Sequence, residues 1–132
     1  MRFAVDRLDH LVITCRDVAA SAAWYQRVLG MEVVEFGPHQ RTALRFGGQK
    51  INLRPVEATQ ESWWSGVAPV PGSQDLCFIA AISAEQIAEH LRRQGVAIEQ
   101  GPGPQHGALG TIMSVYCRDP DGNLIEIASY SR

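Results

Sequence analysis

Arg118-Asp119-Pro120-Asp121-Gly122-Asn123-Leu124-Ile125-Glu126-Ile127 reads as a tight turn feeding a strand. Pro120 fixes φ, Gly122 or Asn123 can take a positive φ, and the aspartates can bond nearby backbone, which is what a short reversal needs. From Leu124 to Ala128 the segment is apolar except for Glu126. A carboxylate buried unpaired in such a strand costs on the order of several kcal/mol. Glu126 therefore either faces solvent or has a partner, and the rest of the chain decides between the two.

At 132 residues the chain is long enough for one domain with a sizeable core. Its hydrophobic share of 45% and charged share of 20% are ordinary for a soluble protein, and a net charge of −2 supplies no basic field for nucleic acid. No apolar run approaches a membrane span, and the N-terminus lacks the apolar region of a signal peptide, so no membrane partner and a cytoplasmic location are expected. Cys15, Cys77 and Cys117 each sit singly in an apolar stretch. They read as small buried hydrophobes in a reducing compartment rather than a disulfide or zinc framework.

Working back through the chain, residues 8–15 predict a strand, with Leu11 and Ile13 on one face and His10, Val12 and Thr14 on the other. Asp17 caps a predicted helix that Gly30 stops. Strands are expected at 31–36, 41–46 and 50–54, the last two joined by Gly47-Gly48-Gln49. Residues 57–72, rich in Pro, Gly and polar residues and carrying Trp63-Trp64, predict a linker that plugs a core edge, forms a subunit contact or covers a ligand. The pattern then restarts: a strand at 74–80, a helix capped by Ser83 and ended by Gly95, a strand at 96–100, a Gly/Pro loop at 101–107 holding His106, and a last hairpin of 111–117 and 123–128.

The chain thus reads as βαβββ twice, modules 6–56 and 73–129 within a single domain of 1–132. His10 and Asp75 stand 65 residues apart, as do Gly30 and Gly95, and Ile51-Asn52-Leu53 aligns with Ile125-Glu126-Ile127. His10, Asn52, Asp75 and Glu126 are each the odd polar residue in an apolar strand. Taken singly, His10 reads as a hydrogen-bonded core histidine, Asn52 as a solvated strand residue and Asp75 as a turn residue. Their matched placement puts all four on the face away from the helices, where an incomplete barrel would gather them in one cup. A histidine, two carboxylates and an amide there can bind a divalent cation or do acid–base work.

Leu8-Asp9-His10-Leu11-Val12, Trp24-Tyr25-Gln26-Arg27-Val28-Leu29-Gly30-Met31, Gly48-Gln49-Lys50-Ile51-Asn52-Leu53 and the closing Arg118–Glu126 stretch together resemble the vicinal oxygen chelate superfamily. That superfamily includes glyoxalase I, fosfomycin-resistance and bleomycin-resistance proteins and extradiol dioxygenases. The resemblance spans nearly the whole chain and is strongest to the subgroup described as glyoxalase-domain-containing protein 5, with its bacterial virulence-type relatives.

It implies an α+β fold of two βαβββ modules forming an incomplete β-barrel with helices outside. It implies a divalent metal held by His10, Asp75, Glu126 and Asn52, with Glu126 also able to shuttle a proton. Two positions depart from the family pattern. Asn52 stands where glyoxalase I usually has a carboxylate, and Asp75 where the metal-dependent members usually have histidine, which counts against glyoxalase I and extradiol dioxygenase activity. The oxygen-rich set favours Mn2+, Mg2+ or Ca2+ over the softer metals, with Ni2+, Zn2+ or Fe2+ as the alternatives. The expected function is that of a metal-dependent lyase or isomerase acting on a small oxygen-chelating metabolite. Arg45, Arg54 and Tyr116 are candidates to bind it. The alternative is a metal-free binding protein of the bleomycin-resistance type. A homodimer is expected, with His10 and Asn52 of one chain meeting Asp75 and Glu126 of the other.

Overall fold

Each half of the chain builds the same unit. In the computed structural model, which describes residues 1–130, the first half runs β1 (His10–Cys15), α1 (Val18–Leu29), β2 (Glu32–Phe36), β3 (Arg41–Phe46) and β4 (Gln49–Pro55). The second runs β5 (Asp75–Ile79), α2 (Ala84–Arg93), β6 (Gln100–Gly107), β7 (Gly110–Arg118) and β8 (Leu124–Ser129). The chain divides into two compact units, with the boundary between Pro69 and Val70. Each unit is a four-stranded sheet, ordered β1-β4-β3-β2 in the first and β5-β8-β7-β6 in the second. In each, the first strand runs parallel to the last and the other pairs are antiparallel. The repeat expected from the spacing is therefore present down to the strand order.

Local chemistry starts and stops both helices where the residues foretold. The Asp17 carboxylate accepts from Ala20 N, and Gly30 closes α1 in the left-handed conformation with φ 68°. Ser83 and Gln86 form a reciprocal capping box on α2. The helices lie over the apolar sheet faces. Ile13, Leu44, Ile51 and Leu53 in the first unit, and Val115, Cys117, Ile125 and Ile127 in the second, are all buried. Full burial of one such side chain contributes about 1.5–3 kcal/mol.

One expected strand is displaced. Residues 96–99 form no strand, and β6 is instead built from the Gly/Pro segment read as a loop, so His106 lies on an exposed strand. β6 is an edge strand, where a proline costs no ladder bond on its open side. Its register shifts between Gln100 and Gly103, and Gly101 is needed there because a Cβ would collide with the Ser114 carbonyl.

The turn before β8 locks the second unit. Asp119 Oδ1 accepts from the backbone N–H groups of Asp121 and Asn123, both at 2.9 Å, and its Oδ2 accepts from Asn123 Nδ2 at 2.7 Å. Asn123 Oδ1 in turn accepts from Gln74 N at 2.8 Å, and Leu124 N donates to Gln74 O at 3.0 Å. Gly122 supplies the positive φ, 88°. The first unit repeats the clasp at the matching place, where Gln49 Nε2 donates to Leu8 O at 2.9 Å and Lys50 N to Asp9 O at 3.3 Å.

Asp119→Ala leaves three donors without their acceptor in a buried turn. It is expected to cost about 2–4 kcal/mol in urea unfolding. Arg118→Ala, which removes an exposed pair with Glu99, is expected to cost under about 1 kcal/mol. Equal small losses in the two variants would contradict the role given to Asp119.

Candidate functional site

The uncovered face of the first sheet carries His10, Val12 and Thr14 from β1 and Lys50, Asn52 and Arg54 from β4. In the parallel register Val12 stands beside Asn52, so His10 and Asn52 are diagonal neighbours. His10 is exposed, and its Nδ1 lies 2.7 Å from Asp9 Oδ1. That hydrogen bond, first among several nearby charges, holds the Asp9 carboxyl below its usual range. A carboxylate partner on one ring nitrogen is the usual support for a histidine that binds a metal through the other. Asn52 is 7% exposed, and its Oδ1 is buried with no hydrogen-bond partner among the described residues. An acceptor left in that state costs about 1–3 kcal/mol unless something outside the chain satisfies it.

The second sheet repeats the geometry with other donors. Cys77 stands beside Glu126 on β5 and β8, and Tyr116 flanks Glu126 from β7, so Asp75 is the diagonal neighbour of Glu126. Glu126 is half-buried and Asp75 exposed, and both line a cleft of about 390 Å³ with Glu99, Gln105, Tyr116 and Arg118. The buried Ser114 hydroxyl donates to Glu126 Oε2 at 2.5 Å. Partial burial raises the Tyr116 phenol, and the charge of Glu126 and a hydrogen bond to it push the same way.

Among the described residues no three His, Cys, Asp or Glu stand together as a metal-binding group. Each sheet instead carries one diagonal polar pair, His10 with Asn52 and Asp75 with Glu126. The donors fit a divalent ion: a supported imidazole, a buried amide oxygen without a partner, and two carboxylates, one of them anchored.

Of the candidate substrate groups, Arg45 is exposed and paired loosely with Glu32 at 3.7 Å, and Tyr116 borders Glu126. Arg54 is otherwise engaged. It is 1% exposed, its Nε and Nη2 donate to Trp63 O at 3.1 and 3.0 Å, and Nη2 also reaches Ala58 O at 3.3 Å. Trp63 is buried, with the Arg41 guanidinium 4.0 Å from its ring centre, whereas Trp64 is 88% exposed. Trp63 is thus a plug rather than a mobile cover.

Three residues escaped the sequence reading. Asp9 and Ser114 support the ligand candidates, and Cys77, read as a buried hydrophobe, is exposed beside Glu126. Strand parity was the available signal for Cys77, since it alternates with Leu76 and Phe78 and so shares the face of Asp75. Although the residue is exposed, partial desolvation of its sulfur against the sheet, then the charge of Glu126 and a hydrogen bond to it, push the Cys77 thiol up to about 11. The thiol is therefore protonated at neutral pH and forms thiolate only as pH rises towards that value. Iodoacetamide at pH 7.5 is expected to label Cys77 roughly tenfold or more slowly than a free cysteine, with the rate rising in Glu126→Gln. Labelling at the free-cysteine rate would contradict the placement.

The duplicated module has counterparts in known proteins. Residues 7–127 match the model of the Glyoxalase/Bleomycin resistance protein/Dioxygenase superfamily. The glyoxalase domain-containing protein RDO1 of Mycosarcoma maydis is 47% identical over 98% of this chain and 71% of its own length. Virulence protein STM3117 of Salmonella typhimurium is 45% identical over 98% of this chain and 88% of its own. An integron cassette protein from V. cholerae superposes with a TM-score of 0.93 at 44% identity, covering 99% of this chain and all of that one. With the repeated βαβββ order, the family match over nearly the full length and relatives at this identity, the chain belongs to the Glyoxalase/Bleomycin resistance protein/Dioxygenase superfamily.

Proposed function

We propose that this protein is a divalent-metal-dependent lyase or isomerase acting on a small metabolite that presents two adjacent oxygens. The observation that carries this reading is the buried Asn52 Oδ1, unpartnered beside a histidine whose other nitrogen is held by Asp9. A cation is the simplest group that satisfies both, and the hard donor set suits Mn2+ or Mg2+. His10, Asn52, Asp75 and Glu126 would hold the ion. When bound, it supplies Lewis-acid stabilisation of negative charge developing on a substrate oxygen.

The chain's own groups carry the remaining roles. Glu126 is anchored by Ser114 at Oε2, with Tyr116 and Cys77 hydrogen-bonding beside it, and is the group that can take or return a proton. Tyr116, kept protonated, can donate to a substrate oxygen. Arg45, with only a distant carboxylate, can meet an anionic substituent. Arg54 acts indirectly by pinning the Trp63 loop.

The two pairs meet between two copies of the chain. The open face of the first sheet carries Arg41, Arg45 and Lys50 against Glu32, while the second carries Asp75 and Glu126, with Glu99 and Arg118 paired beside them. The opposite charges favour His10 and Asn52 of one chain meeting Asp75 and Glu126 of its partner. Apolar side chains left in solvent, Phe3 at 81% and Ile79 at 54%, provide further surface for such an association.

Metal-stripped protein heated with Mn2+ at about 100 times its dissociation constant is expected to gain about 2.7 kcal/mol, a midpoint rise of several degrees. The rise should vanish in His10→Ala and Glu126→Ala. No shift with Mn2+, Mg2+, Ni2+, Zn2+ or Fe2+ would favour metal-free ligand sequestration instead. Light scattering at micromolar concentration should give a dimer, and a monomer would contradict the shared site.

A further inference from the structure

We infer that the first unit carries a second ligand site, separate from the face of His10 and Asn52, that takes an amphipathic organic cation: an amine on an apolar or aromatic body. The site is an open groove of about 970 Å³ lined wholly by residues of that unit. Thr42 on β3 and Leu53 on β4 line it and stand opposite each other in the antiparallel register. They alternate with Ala43 and Asn52, so they belong to the helix-covered side of the sheet and not to the open face. Val18, the first residue of α1, lines it too. The groove thus sits at the edge where α1 and β3 begin and β4 ends. Its size falls within the range of small-molecule sites, about 300–1,000 Å³.

One side of the groove is fixed before any ligand arrives. The buried Arg54 guanidinium holds the carbonyls of Ala58 and Trp63. Between them, Thr59 N donates to Ser62 Oγ at 2.9 Å, Ser62 N to Thr59 Oγ1 at 3.0 Å and Trp63 N to Thr59 O at 2.8 Å. A lining held in this way loses little conformational freedom on binding.

The charges of the groove select the ligand. Arg41 stacks on Trp63 and donates to Ser62 O at 3.0 Å, and Arg16 is engaged in a contact of its own. Asp17 caps α1 through Ala20 N. Glu57 and Glu61 are exposed and make no hydrogen bond or ion pair among the described residues. The charge left for a ligand is therefore negative, beside the apolar surface of Val18, Leu53, Pro55 and Ala58. His39 adds a ring nitrogen for a further hydrogen bond. An ammonium group meets the two carboxylates while its apolar body covers the floor, whereas an anion of the same shape is repelled.

The test follows the backbone amide NMR signals of the full chain during titration with benzylamine, and with phenylacetate and benzyl alcohol as its anionic and neutral counterparts. Benzylamine is expected to shift the signals of Val18, Thr42, Leu53 and Ala58 saturably, and both counterparts to bind roughly tenfold or more weakly. Glu57→Gln with Glu61→Gln should weaken benzylamine by a similar factor, and the exposed positions leave the fold intact. Glu89→Gln, on the exposed side of α2, should change nothing. Phenylacetate bound as well as benzylamine, an unchanged affinity in the double variant, or shifts confined to the face of His10 and Asn52 would each overturn the inference. So would the absence of a saturable shift. Groove signals that ignore the amine but move on protein dilution would show a second copy of the chain filling the groove, and would overturn it equally. No metal enters the experiment, so its failure leaves the reading of the open face as it stood.

Discussion

The interaction on which the rest depends is the clasp between the residue after each hairpin turn and the start of its module's first strand. In the second module, Asn123 stands between Asp119 and the Gln74 backbone and pins β5 to β8. In the first, Gln49 reaches Leu8 and pins β1 to β4. A parallel pair has no tight turn of its own to set its register, because its connection runs through a helix and two other strands. A slip of one residue would send every side chain to the opposite face. The clasp removes that freedom. It sets Val12 against Asn52 and Cys77 against Glu126, and so makes His10–Asn52 and Asp75–Glu126 diagonal pairs.

That constraint explains why so few polar residues survive in otherwise apolar strands. The helix-covered face is close-packed and takes no charge without a large cost. The open face is where a histidine, an amide and two carboxylates are tolerated, and the duplicated register brings each to an equivalent spot. Among the described residues, Asn52 Oδ1 is an unsatisfied buried side-chain acceptor there, together with a supported histidine and an anchored glutamate. Unsatisfied groups of this kind are rare in folded chains and call for a reason. A bound ligand is the reason advanced for this one.

Much of the architecture was legible because period and punctuation agreed. Asp17, Gly30 and Ser83 announce helix ends by chemistry that depends on a few neighbours only. The face of Glu126 followed from alternation with Ile125 and Ile127. The misses have physical causes too. Residues 100–107 look like a loop because Gly and Pro weaken a strand, but an edge strand needs partners on one side only. Asp9 lies just before β1, where alternation no longer tells direction, so its reach to His10 was hidden. Ser114 is a small polar residue in an apolar run, and its importance appears only once β7 is in register with β8. Arg54 was placed on the correct face, but the carbonyls that occupy it come from a loop with no periodic signal.

The most direct test of the central claim, that two half-sets from two chains make one metal site, is a mixed dimer. His10→Ala and Glu126→Ala chains are unfolded together, refolded and titrated with Mn2+, beside each variant refolded alone. If the site takes His10 from one chain and Glu126 from the other, each mixed dimer contains one intact site, and tight binding returns that neither variant shows by itself. If mixing restores nothing although mixed dimers form, the site is not shared between chains and the account of it is wrong.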